Sequence, residues 1–153
     1  MHRGIETGAI MKERTPYTYV VLRYRHDAIA GECINVGVVL HAAEQGFFDS
    51  KLNLHYGRLR QVFPDLEPEA FKASIYSIRR GLTAVSKREK GDMLSTLDSA
   101  ERFARMVLPM DDSSFIWSPV GAGVTADPEL ELESLFKRFV TWYEVEKRPF
   151  GQI

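Results

Sequence analysis

The chain has 153 residues, with 20 Lys and Arg against 21 Asp and Glu and a formal net charge of −1. That balance excludes a global pull toward nucleic acid or acidic lipid. A single cysteine excludes an intrachain disulfide framework and a cysteine-built metal site, and no run approaches the roughly 18 apolar residues of a membrane span. With 44% hydrophobic residues the chain has enough apolar surface for one core. The first ten residues lack the apolar stretch of a secretory signal. The expectation is a cytoplasmic protein with a flexible extension over 1–14, a single domain over 15–147 and a flexible tail over 148–153. Met11 offers a second possible start.

Tyr17 to Arg25 is rich in aromatic and β-branched residues and reads as a strand. His26 to Gly31 is a loop. Cys33 to His41 is the second strand, Ala42 to Gly46 a turn, and Phe47 to His55 the third strand. Short connections predict an antiparallel meander. Ile34, Val36, Val38 and Leu40 share one side by the period of two. Matching apolar sides pairs Tyr24 with Ile34, Leu22 with Val36 and Val20 with Val38, then Leu40 with Phe48, Val36 with Leu52 and Ile34 with Leu54. The other face would carry three rows: Arg25–Cys33–His55, Arg23–Asn35–Asn53 and Val21–Gly37–Lys51.

Gly57 to Phe63 forms a short helical turn stopped by Pro64. Pro68 opens a long helix with Phe71, Ile75, Ile78, Leu82 and Val85 on its apolar stripe. Lys87 to Asp92 reads as a solvated break, Leu94 to Val107 as a second helix ended by Pro109, and Asp111 to Ser114 as a polar loop. Phe115-Ile116-Trp117 suggests a short edge strand. Gly121-Ala122-Gly123 reads as a flexible hinge or loop. Asp127-Pro128-Glu129 is a helix start, with an acceptor cap, proline at the first position and an acid in the first turn. The last helix has Leu132, Leu135, Phe136, Phe139, Val140 and Tyr143 on its apolar side, and Glu133 can support Lys137. The sum is an α+β fold: a three- to four-stranded antiparallel meander with helices packed on one face.

Tyr19 to Tyr24 (YVVLRY), Glu32 followed by Asn35-Val36-Gly37-Val38-Val39-Leu40, Phe63-Pro64-Asp65-Leu66, and Asp127-Pro128 before a terminal amphipathic helix together resemble the bacterial domain-of-unknown-function 3037 family. The resemblance spans most of residues 16–145. It implies no established activity and no assigned catalytic residues. It also implies an association with HipA-like kinases, and hence an accessory or regulatory partner. Cys33 departs from the pattern, where a large hydrophobe stands between the Glu and the next aliphatic residue.

Several constellations bear on function. Arg23 and Asn35 side by side, with Glu32, Lys51 and Asn53, make a ligand or partner face able to grip a carboxylate or phosphate. On the structural alternative, Glu32 or Asn35 fixes the hairpin loop by side-chain to backbone hydrogen bonds. Cys33 beside His55 has the elements of a nucleophile–base pair but no third orienting group. His26, His41 and His55 match no metal-site spacing, and no metal or cofactor is expected. Arg58, Arg60, Lys72, Arg79 and Arg80 form a basic patch that nucleic acid could meet. Gly121 to Gly123 before a helix lacks the lysine of a phosphate loop, and the acids at that helix start oppose phosphate. The leading expectation is a non-catalytic interaction module, with a protein partner such as a HipA-like kinase. The alternatives are a nucleic-acid-associated protein or an enzyme of unrecognised type.

Overall fold

The computed structural model describes residues 13–27, 29–91, 99–108 and 114–144. The expected extension over 1–14 and tail over 148–153 therefore lie almost wholly outside the described residues, as do Leu94 to Asp98 of the second helix and Asp111 to Ser113 of the polar loop. Strands β1 (Thr15–Arg25), β2 (Cys33–Ala42) and β3 (Phe47–Leu52) form the expected antiparallel meander. They are followed by helices α1 (Gly57–Val62), α2 (Pro68–Gly91) and α3 (Ala100–Val107), strands β4 (Phe115–Trp117) and β5 (Gly121–Thr125), and helix α4 (Pro128–Phe139). The sheet order is β3-β2-β1-β4, and β5 pairs with β1 further along the β4 side.

The fold is α+β with an antiparallel sheet, as expected, and differs in detail. Among the described residues it has five strands, because Gly121 to Thr125 is a strand and not a hinge. The expected break at Lys87 is absent, since α2 runs on to Gly91. Helices cover both faces. Val20, Leu22, Tyr24, Val36, Val39 and Phe48 face α1, α2 and α3. Tyr17, Val38, Leu40 and Ala42 pack against Leu132, Leu135, Phe136 and Val140. Asp127 caps α4 as anticipated, its carboxylate accepting from the Leu130 N–H at 3.1 Å with Pro128 next. Glu133 turns to Lys51 of β3, where a bond within the helix to Lys137 was expected.

Register explains the two-sided burial. Arg25, Tyr24 and Arg23 pair with Cys33, Ile34 and Asn35. A bulge then shifts the ladder by one, so Leu22 faces Gly37 and Val20 faces Val39. The expected pairs of Leu22 with Val36 and Val20 with Val38 are displaced, as are the expected pairs of Leu40 with Phe48 and Val36 with Leu52. An extra residue on one strand flips everything beyond it, so Val38 and Leu40 point to α4. Gly37 permits this. A Cβ there would lie 2.3 Å from Leu52 Cδ2 and 3.2 Å from the Lys51 carbonyl, so the strands close only because none is present.

Candidate functional site

The face that carries Arg23, Asn35 and Lys51 is the one α4 covers. Arg23 and Asn35 are direct partners on β1 and β2, both half-buried. Asn35 Nδ2 donates to the Phe139 carbonyl at 3.1 Å, tying the sheet to the end of α4 as a side-chain to backbone bond does. Lys51 pairs with Glu133 and stands 5.3 Å above the Phe136 ring; its hydrogen bond holds the Glu133 carboxyl below the usual carboxylate range. Glu32 is exposed just before β2. Of the basic patch, Arg58 is stacked on Trp142 and Tyr143 (5.2 and 4.5 Å to the ring centroids), and Lys72 lies 5.7 Å from the Tyr56 ring. Arg60, Arg79 and Arg80 are exposed.

Three of the expected site residues meet at the β3 edge. Lys51, Asn53 and Lys72 line one groove of about 740 Å³ with His55, Tyr56, Tyr76, Phe136 and Glu144, a volume within the range of ligand sites. Its floor is the run from Lys51 to Gly57; one wall belongs to α2, and Phe136 of α4 belongs to the other. The main chain decides what this floor offers. The Asn53 N–H donates to the Val36 carbonyl at 2.7 Å, so residues of the same parity turn toward β2 and the others turn outward. The outward Phe48 carbonyl accepts from Ser86 Oγ at 2.8 Å, and the outward Ser50 N–H donates to Asp49 Oδ1 at 2.8 Å. Among the described residues, that leaves the Phe48 N–H, the Ser50 carbonyl and both main-chain groups of Leu52 without a partner.

Cys33 and His55 are not brought together by strand pairing, because the β2–β3 ladder and the Asn53 to Val36 bond that follows it end short of both residues. Cys33 is exposed, with its Sγ donating to the Gly31 carbonyl at 3.5 Å. Of the histidines, His41 is buried edge-on to Phe48 and Phe103. Among the described residues no three His, Cys, Asp or Glu side chains gather as a metal would need.

A second cluster was missed in the sequence. His26 follows β1 directly, and if the chain continues the strand's direction the two-residue spacing from Tyr24 puts both on one face; this spacing was the available signal. His26 Nε2 lies 2.7 Å from Asp65 Oδ1, and Nδ1 lies 2.8 Å from Tyr24 Oη. A carboxylate only accepts, so Nε2 carries a proton and donates to Asp65; in the neutral ring Tyr24 is then the donor to Nδ1. His26 also stacks on Phe63 at 4.6 Å. The Phe63-Pro64-Asp65 stretch thus clamps the end of β1. The bond from His26 holds the Asp65 carboxyl below the usual carboxylate range. Burial, then the Asp65 charge, pushes the Tyr24 phenol up. A phenol that keeps its proton is a poor nucleophile at neutral pH, so this chain suits orientation more than chemistry.

Burial likewise raises Tyr17, whose Oη donates to Glu131 at 2.7 Å, and Tyr143. For an acid raised on folding, the stabilisation is fully present below the unfolded value of about 10 and is lost as pH rises through the folded one. We therefore expect denaturant midpoints to be flat toward pH 10 on the alkaline side and to fall above it, with phenolate absorbance appearing together with unfolding. Tyr17→Phe should soften that alkaline loss. Free titration of every tyrosine near pH 10 in the folded protein would contradict the assignment.

No helix among the described residues is long and apolar enough to cross a membrane. Compared with curated proteins and with solved structures, the chain matches none. The model of a family described as proteins of unknown function, DUF3037, matches residues 19–140, from within β1 to just beyond α4, and the chain belongs to that family.

Proposed function

We propose that the protein is a non-catalytic interaction module that takes an extended segment of a partner protein along the free edge of β3. The observation that carries this reading is the pair of outward main-chain groups of Leu52, unpartnered among the described residues, on the floor of a walled groove. Such an edge offers strand addition: main-chain bonds supply affinity and flanking pockets supply specificity. Tyr56, Tyr76 and Phe136 suit apolar side chains of the segment. Lys72, with the exposed Glu69 3.7 Å away on the same helix, favours an acidic residue among them. The partner implied by the family resemblance is a HipA-like kinase.

The test is titration of the full chain with overlapping synthetic segments of a HipA-like kinase, with amide exchange read in parallel. A binding segment should slow exchange at Leu52. Leu52→Pro removes the outward donor together with a side chain that packs against the core, so in a variant shown to fold it should abolish binding; Lys72→Glu, on a part-exposed helix face, should weaken it at least about tenfold. Arg79→Glu with Arg80→Glu should leave it unchanged. Binding without protection at Leu52 overturns the groove, and no binding by any segment overturns the kinase. Salt-sensitive retention of single-stranded DNA or RNA, lost in the Arg79/Arg80 variant, would replace this reading with the nucleic-acid one.

A further inference from the structure

The sheet has a second edge, and it is built differently. Residues Phe115 to Thr125 run antiparallel to β1 as one interrupted strand, shifting register by one between Trp117 and Gly121. No charged residue occurs anywhere in that stretch. The β3 edge, by contrast, carries Asp49 and Lys51, and Ser86 takes the outward carbonyl of Phe48. Sheet edges are commonly blunted by charge, proline or a cover, because an open apolar edge recruits another strand; Pro119 interrupts this stretch, but β5 itself, Gly121 to Thr125, holds neither charge nor proline. Here Val120, Val124 and Leu130 are 46%, 56% and 65% exposed; Val124 and Leu130 line one crevice, whose charged residues Arg14, Asp127 and Glu131 all lie outside β5.

The direction of the main chain can be read. Pro16, which has no N–H, stands opposite Val124, a place suited to a pair that exchanges no hydrogen bonds. The Thr125 carbonyl accepts from Gln45 Nε2 at 3.2 Å, and that same amide donates to Thr15 of β1, so the carbonyl faces the β1 side. Strand alternation then turns Ala122 and Val124 outward. Among the described residues nothing pairs with them.

We propose that this edge joins a second copy of the chain, the two β5 strands running antiparallel about a two-fold axis at Gly123. In that register Ala122 of each copy exchanges both main-chain bonds with Val124 of the other. Gly123 meets Gly123 in the close, non-bonded pair. The occupant is a second copy because the strand is self-complementary: small apolar residues meet small apolar residues, and no like charges are opposed. The outcome is one continuous sheet through both protomers, an isologous contact. This proposal is independent of the β3 groove, which stays open in such a dimer.

Sedimentation equilibrium of the full chain from about 1 to about 100 μM tests it. A concentration-dependent shift toward the mass of two chains is expected, with slowed amide exchange at Ala122 and Val124. Val124→Lys places charges across the axis and should raise the dissociation constant at least about tenfold, with thermal unfolding of the subunit unchanged. Ala122→Lys is the second variant, should the first fail to fold. A chain monomeric throughout overturns the proposal. So does a dimer that persists in either folded variant. Protection of Ala122 and Val124 in a monomer also overturns it, by assigning the edge to a segment of the same chain.

Discussion

Phe48→Ala is expected to cost about 3–5 kcal/mol, the range for emptying a buried phenylalanine site. Phe48 is 1% exposed, and it holds three elements together. It pairs with His41 across β3 and β2, and its ring lies 6.1 Å from that of His41 and 5.3 Å from that of Phe103 on α3, edge-on in each case. Truncation removes the hydrophobic transfer and leaves a cavity, because the ladder and the helix are fixed on either side. Against a total stability of about 5–15 kcal/mol, such a loss leaves the domain marginal. Urea unfolding should show a large fall in midpoint with little change in slope. A loss under about 1 kcal/mol would mean that β3 does not pack against α3 as described.

The second large effect is expected at Gly123. A Cβ there would lie 2.7, 2.8 and 2.9 Å from Oη, Cζ and Cε2 of Tyr17. A side-chain end can often swing away, but this one is held. Tyr17 is buried, bonds Glu131 through its hydroxyl, and belongs to the cluster under α4. Gly123→Val should therefore displace the ring, break the Glu131 bond and cost about 2–4 kcal/mol, combining overpacking with a lost hydrogen bond. Gly57 is the control. Nothing lies within 4 Å of its notional Cβ and its φ is not positive, so Gly57→Ala should be neutral or slightly stabilising. A hinge at Gly121 to Gly123 would tolerate valine equally well; equal stability of the two variants would restore that reading.

The β3 and β5 edges invite different partners for a physical reason. One is a polar groove between walls, suited to a foreign segment; the other is uncovered among the described residues, small and uncharged, suited to itself. Both were within reach of sequence reasoning only in part. Lys51, Asn53 and Lys72 were singled out for their chemistry on two separate surfaces. Only tertiary structure shows that α2 and the end of β3 bring them to one groove. The Tyr24–His26–Asp65 chain was invisible for a related reason: 39 residues separate His26 from Asp65, and no local spacing encodes that contact.

The sequence by itself determined the local elements: three meandering strands from a period of two, the long helix opened by Pro68, the cap at Asp127-Pro128, and Arg23 opposite Asn35. Each rests on interactions between near neighbours, which the order of residues specifies directly. Tertiary structure alone decided where the ladder slips. From Val36 to Leu40 every residue is apolar or glycine, so alternation carries no mark of the bulge; strands buried on both faces read as continuous apolar runs. The bulge turns Val38 and Leu40 toward α4, and α4 in turn occupies the face whose polar residues read as a ligand or partner face. Burial there is set by what packs above the sheet, and that covering helix lies about a hundred residues further along the chain.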